Sequence, residues 1–296
     1  MTLTHPPSGR LSPSMLDPPI PLYPSAVCPP ILRSLHLPSS ATPPQSPAAK
    51  PAPSGTVSNP TYRRILLKVS GESFAKPGAF GIDPEELDYI AGELKEAAGA
   101  GAQLAIVVGG GNIIRGAELA AQGHIHQATA DHMGMLGTVI NALALREKLV
   151  SMNVPTRVMS AIEIRAVAEP FIRNRAVRHL EKGRVVILAA GTGNPYFTTD
   201  TCAALRATEL ECDVLLKATK VDGVYTADPK KDPAATRYDT LTFKEAMDKN
   251  LRVMDMTALA MCREHKVPVM VFDFKRKGNI ARVARGERIG TYLHSA

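Results

Sequence analysis

Marking apolar and polar positions along the chain divides it into two textures. From Tyr62 onward, short apolar runs alternate with longer stretches in which apolar residues recur every three to four positions. That is the pattern of buried strands alternating with amphipathic helices. It predicts strands at 63–69, 103–108, 156–160, 185–190, 213–217 and 267–274, and a last strand at 289–293 closing the sheet at an edge. Helices are predicted at 84–98, 131–149, 170–181, 201–211, 243–249, 256–265 and 280–285. The first of these has Asp83 as N-cap and Pro84 at the first helical position. Strands that are apolar throughout are covered on both faces, so the expected fold is α/β, a mostly parallel sheet between helical layers with ligands at the carboxyl ends of the strands. The stretch 220–238, rich in Asp, Gly and Pro, is predicted to be an ordered surface loop.

Before Tyr62 the texture differs in kind. Of the chain's 24 prolines, 16 fall within 1–60, and only Arg10, Asp17, Arg33 and Lys50 are charged within 1–58. Such a segment cannot bury enough surface to fold. Residues 1–58 are therefore expected to be a disordered extension, or the product of a start codon assigned too far upstream, and 59–296 a single domain. Scarce acidic residues leave an organelle transit peptide open as a lesser alternative, while proline interrupts every apolar core that could serve as a secretory signal. No apolar run approaches the roughly 18 residues of a membrane span.

Composition narrows the chemistry. A formal charge of +7 comes without any basic block interleaved with aromatics, which points to phosphorylated small molecules rather than nucleic acid. Cys28, Cys202, Cys212 and Cys262 lack metal-ligand spacing and are expected to be reduced and buried. His124, His126 and His132 lie close together, but the first two share a loop with no Cys or acidic neighbour in ligand spacing, so no metal site is expected there.

The candidate site lies where strands run into glycine. One predicted strand ends at Ser70-Gly71, another at Gly109-Gly110-Gly111-Asn112, and a third at Gly191. The stretch 191–200, GTGNPYFTTD, sets small polar groups and free backbone N–H at a helix entrance, an anion cradle whose helix would be capped by Thr199 or Asp200. Neither G-x-x-x-x-G-K-[ST] nor G-x-G-x-x-G occurs, so neither a P-loop nor a dinucleotide-binding fold is expected. Lys68, the glycines 109–111, Arg115 and Lys217 remain as phosphate-suited groups. Lysines, an arginine, backbone N–H and Mg²⁺ are a sufficient kit for phosphoryl transfer, which needs positioning and charge neutralisation more than covalent chemistry.

The segments KVSGESF (68–74), VVGGGNIIRG (107–116), DHMGMLGTVINALA (131–144), GTGNPYFTTD (191–200), LKATKVDGVYTADP (216–229) and RVMDMTA (252–258) together resemble bacterial uridylate kinases of the amino-acid kinase superfamily. The resemblance implies a three-layer α/β/α sandwich that transfers the γ-phosphoryl of MgATP to UMP in pyrimidine nucleotide synthesis. It implies ATP contacts from Lys68, Val69, Ser70, Gly71, Gly111, Arg115, Thr219, Tyr225 and Asp228. UMP would be held by Gly110, Asp131 and the loop of Thr192, Gly193, Asn194, Pro195, Tyr196, Phe197, Thr198 and Thr199. Lys68, Arg115, Lys217, Asp200 and Asp255 would be catalytic, with Asp255 orienting Lys68 as an ion pair. The same resemblance implies a cytoplasmic homohexamer, activated by GTP through Lys76, Pro77, Gly78, Ala79, Phe80 and Gly81 and inhibited by UTP.

Overall fold

The computed structural model describes residues 62–295 apart from 122, 124, 230 and 252, so the expectations for 1–58, Cys28 and His124 lie outside the described residues. At its centre is β1 (Arg64–Val69), paired in parallel with β2 (Gln103–Val108) on one side and β6 (Val214–Thr219) on the other. Outward from β2 come β5 (Val185–Ala189), β3 (Thr156–Ser160) and the two-residue β4 (Glu169–Pro170). Outward from β6 come β8 (Val269–Asp273), β9 (Thr291–His294) and β7 (Thr240–Thr242). All described pairings are parallel except β8 with β9.

Alternation along the strands divides the core in two. Ile65, Leu67, Val108, Ile187, Leu216 and Phe272 pack beneath α1 (Pro84–Ala98), α3 (Gln127–Ser151) and α8 (Asn279–Ala284). Leu66, Val107, Leu188, Leu215 and Val271 pack beneath α4 (Arg173–Glu181), α5 (Thr199–Glu209), α6 (Phe243–Asp248) and α7 (Met256–Glu264). The result is the expected three-layer α/β/α arrangement. Lys68 and Lys217 follow Leu66 and Leu215 by two positions, so the pleat directs them to the second face. No helix among the described residues is long and apolar enough to cross a membrane.

The structure departs from the sequence expectations at short elements and helix starts. β9 is not an edge strand, because the three-residue β7 pairs outside it. β4 occupies what was expected to open α4; proline is tolerated there because β4 is the sheet edge. The short α2 (Gly116–Ala121) falls in a stretch with no strong apolar period. α3 begins at Gln127 with His126 as its cap, accepting from Ala128 N, so Asp131, expected to open the helix, sits inside it. α5 is capped by Thr198, not by Thr199 or Asp200.

Candidate active site

Parallel pairing sets Lys68 of β1 opposite Lys217 of β6 as register partners, two ammonium groups side by side at the carboxyl end of the sheet. Asp200 is brought to them by the start of α5, where the Thr198 hydroxyl accepts from the backbone N–H of Asp200 at 3.0 Å and of Thr201 at 3.1 Å. Its carboxylate bridges the lysines, Oδ1 at 3.0 Å from Lys68 Nζ and Oδ2 at 2.5 Å from Lys217 Nζ. Lys217 also donates to the carbonyl of Val253. Burial alone would raise the Asp200 carboxyl, but Lys68 and Lys217 together outweigh it and hold the group below the usual carboxylate range. Lys217 is pushed below the ordinary lysine range chiefly by burial, against the pull of Asp200. Asp255 also acts on Lys217 from beyond this bridge, so two carboxylates face the two ammonium groups.

Asp255 is not the partner of Lys68. It caps α7, accepting from Ala258 N at 2.9 Å, and its carboxylate receives the hydroxyls of Thr198 at 2.5 Å and Thr201 at 2.8 Å. The expected ion pair is corrected to Lys68 with Asp200, and Asp255 becomes the anchor of the α5 cap. The reason is positional. Asp200 opens the helix that crosses over β1, while the carboxylate of Asp255 is already occupied by its own helix terminus and two threonines.

Two cavities adjoin this centre. The first encloses about 150 Å³ and is lined by Gly110, Gly111, Asp131, Thr138, Thr192, Phe197, Thr198 and Thr199 among others. The second encloses about 610 Å³ and is lined by Lys217, Thr219, Tyr225, Asp228 and residues around Val253. Thr198 and Thr199 of the first immediately precede Asp200, and its partner Lys217 lines the second, so the Asp200–Lys217 pair links the two, while Lys68 lines neither. Gly110 and Gly111, assigned to different ligands by the resemblance, line the same cavity. Gly71 backs onto this turn so closely that a Cβ there would lie 2.5 Å from Gly111 N.

The loop 190–199 is held in an unusual backbone. Ala190 at φ +62° and Tyr196 at φ +70° are non-glycine residues in the left-handed region, and Gly191 and Gly193 share it. Such strain concentrates at functional sites. Asp131 fastens the loop, its Oδ2 accepting from Tyr196 N at 2.8 Å while Oδ1 accepts from Gln127. Gly193, Asn194, Pro195 and Tyr196 shape the loop without lining the first cavity, and Asn194 and Tyr196 are exposed. In the second cavity Thr219 donates to Val221 O at 2.6 Å and the Tyr225 hydroxyl to Asp222 at 2.7 Å. Val69 is buried, and Ser70 stands just before the helical turn Gly71–Phe74.

Arg115 lines neither cavity. Its exposed guanidinium pairs with Glu118 at 2.9 Å and Glu72 at 3.2 Å and lies 5.9 Å from the ring of Phe80. Phe80 is 69% exposed on the loop of Lys76, Pro77, Gly78, Ala79, Phe80 and Gly81, where Lys76 pairs with Asp83 and Glu85. Among the described residues there is no cluster of His, Cys, Asp and Glu arranged to hold a metal. Cys202, Cys212 and Cys262 are buried and free, with thiols pushed by burial up to about 11, 12 and 12. Sequence reasoning missed Thr138, Thr201 and Asn141 and named Asn112 only as the end of the glycine turn; all four act through buried or partly buried hydrogen bonds. Their signal was polar residues inside otherwise apolar helical or strand-end stretches.

The amino acid kinase family model matches residues 63–273. Among solved structures, the chain is similar to a UMP kinase from Bacillus anthracis, at 41% identity and a TM-score of 0.77, over 79% of this chain and 96% of that one. A UMP kinase from Ureaplasma parvum is 38% identical with a TM-score of 0.75, over 79% and 99% of the two chains. A uridylate kinase from Archaeoglobus fulgidus is 27% identical with a TM-score of 0.60, over 78% and 99%. With the family model running from β1 through β8, and so across every strand that carries the bridged lysines and the two cavities, this chain belongs to the amino acid kinase family.

Proposed function

We propose that the protein is a UMP kinase, transferring the γ-phosphoryl group of MgATP to UMP to give UDP and ADP. The observation that carries this reading is the pair of lysines bridged by Asp200, with Lys217 lining one cavity and the residues just before Asp200 lining the other. In this reading ATP occupies the second cavity, with Thr219, Tyr225 and Asp228 around its base and ribose, and UMP the first. Mg²⁺ enters as part of the nucleotide substrate. An oxygen of the UMP phosphate attacks the γ-phosphorus, the bond to the β,γ-bridging oxygen breaks, and ADP leaves with that electron pair. No general base is needed, because a phosphomonoester with a second pKa of about 6 is already an anionic nucleophile near neutral pH. Lys68 and Lys217 neutralise charge on the group in flight, and the backbone N–H groups of Gly110 and Gly111 face the acceptor phosphate.

Asp131 receives the ribose hydroxyls of UMP and gives up Tyr196 N–H to do so. Arg115 leaves Glu72 and Glu118 to clamp phosphate. GTP activation through residues 76–81, UTP inhibition, hexameric assembly and a cytoplasmic location belong to the same reading and are supported by the resemblance to bacterial uridylate kinases. The test is a coupled ADP-release assay offering UMP, CMP, dUMP, acetylglutamate and aspartate as acceptors. UMP is expected to support the highest kcat/KM, and a higher value for any other acceptor would overturn the assignment.

A further inference from the structure

The turn Gly109–Gly111 has no side chains of its own, yet it borders the first cavity, where sub-ångström placement of backbone N–H groups decides how a phosphate is held. What fixes it is a pair of buried amides. Asn141 is fully buried on α3, and its Nδ2 donates to Gly109 O at 2.8 Å and to Asn112 Oδ1 at 2.6 Å. Asn112, 2% exposed, donates from Nδ2 to Asn141 Oδ1 at 3.0 Å and to Gly81 O at 2.7 Å. Gly81 N returns a bond to Asn112 O at 2.7 Å. Both amide N–H groups and the side-chain oxygen of each asparagine are thus engaged, a closed network of the kind that specifies one geometry.

The same helix touches the turn directly: a Cβ on Gly110 would lie 2.7 Å from Gly134 O and 2.9 Å from Thr138 N. One turn before Asn141, the Thr138 hydroxyl accepts from Ala190 N at 2.7 Å and donates to Met135 O. Asp131, Thr138 and Asn141 therefore use one face of α3 to hold three points around the cavity: Tyr196, Ala190 and Gly109.

We infer that Asn141 and Asn112 are positioning residues, a reciprocal amide pair that sets the glycine turn against α3 and ties it to the end of the 76–81 loop. Neither lines either of the two cavities, so their effect on the reaction passes through Gly109 and the N–H groups that follow it. The inference rests on reading the first cavity as the acceptor site. Glycine is the residue with most conformational freedom to lose, so a turn of three needs an external fix.

The test uses Asn141→Asp and Asn112→Asp in the full chain. The ionised carboxylate of Asn141→Asp still accepts from Asn112 but cannot donate to Gly109, whereas Asn112→Asp keeps the Asn141 bond to Gly109 and loses the one to Gly81. For Asn141→Asp, kcat is expected to fall by about thirtyfold or more with KM for ATP within about twofold, in line with the cost of misplacing reacting groups. Amide hydrogen exchange at Gly110 and Gly111 is expected to quicken by about tenfold or more while β6 keeps its protection. Asn112→Asp is expected to do less on both counts. A kcat per folded molecule within threefold of wild type, or unchanged exchange at the turn, overturns the inference and leaves the pair as ordinary core. Should Asn141→Asp melt below assay temperature, Asn141→Ser is judged by the same two readouts. A wild-type protein that fails to phosphorylate UMP refutes the proposed function instead, and the exchange measurement still decides the role of the pair.

Discussion

Replacing Asp200 by Asn removes one negative charge and almost no volume, and leaves Lys68 and Lys217 facing each other across register-paired strands. The carboxylate is 15% exposed and the lysines 12% and 13%, so solvent screens the group weakly. Removing one partner from a buried pair costs about 3–5 kcal/mol, because the remaining charge stays desolvated. At about 2–4 °C per kcal/mol for a folded domain of this size, Tm is expected to drop by about 6–20 °C. The pH dependence follows from the shifts. Asp200 is held below its ordinary 3.8, so its contribution is present above that value and is lost as pH falls through the lowered folded value. The variant lacks this acid-sensitive contribution. Lys217, already below 10.5 through burial, loses the charge that opposes the shift, so the alkaline limb of kcat/KM should move to lower pH in Asp200→Asn. The assay combines thermal melting from pH 3 to 7 with kcat/KM for UMP on the alkaline side. A variant melting within about 2 °C of wild type, with its alkaline limb unmoved, would refute the ion-pair reasoning.

Arg115→Lys keeps the charge but loses the planar fork, and kcat is expected to fall about tenfold, or roughly 1.4 kcal/mol in the barrier; steady-state kinetics unchanged from wild type would leave Arg115 as the surface partner of Glu72 and Glu118. Asp131→Asn retains shape but turns an acceptor into an N–H₂ group facing Tyr196 N–H, so the kcat/KM ratio of UMP to dUMP should narrow while KM for ATP stays put; an unchanged ratio with normal melting rules out ribose reading. A chain beginning at Asn59 should keep activity and assembly, because the composition of 1–58 cannot support a core; lost turnover on truncation would put that segment within the functional fold.

Strands of the sheet interior were legible in the sequence because burial on both faces makes them continuous apolar runs. The predicted 103–108 and 156–160 coincide with β2 and β3. Asp83 and Pro84 announced α1 through local chemistry alone, and Asp83 does accept from Glu85 N and Glu86 N. β4 and β7 were not legible, since two or three residues carry no period and owe their pairing to neighbours already in place. The lysines and the glycine turns could be found from residue type and position after a strand. Which carboxylate meets Lys68 could not, because Asp200 and Asp255 both open helices on the same face and only the crossing of α5 over β1 decides between them. Asn112 and Asn141, 29 positions apart, show their pairing only after α3 has folded back along the sheet.

The central position of β1 bears on how the chain can be made. Its partner on one side lies 39 residues downstream by the Arg64 to Gln103 bond, but on the other it waits for Asp213, 149 residues away. At roughly 5–20 residues per second, that interval on the ribosome is on the order of ten seconds. Throughout it the strand RILLKV, destined for the middle of the sheet, presents a bare apolar edge able to pair with any passing strand. Products that terminate before β6 therefore keep this edge permanently open. Premature termination between β2 and β6 should yield aggregating fragments rather than soluble half-domains, and a nascent-chain chaperone has most to shield over the same interval.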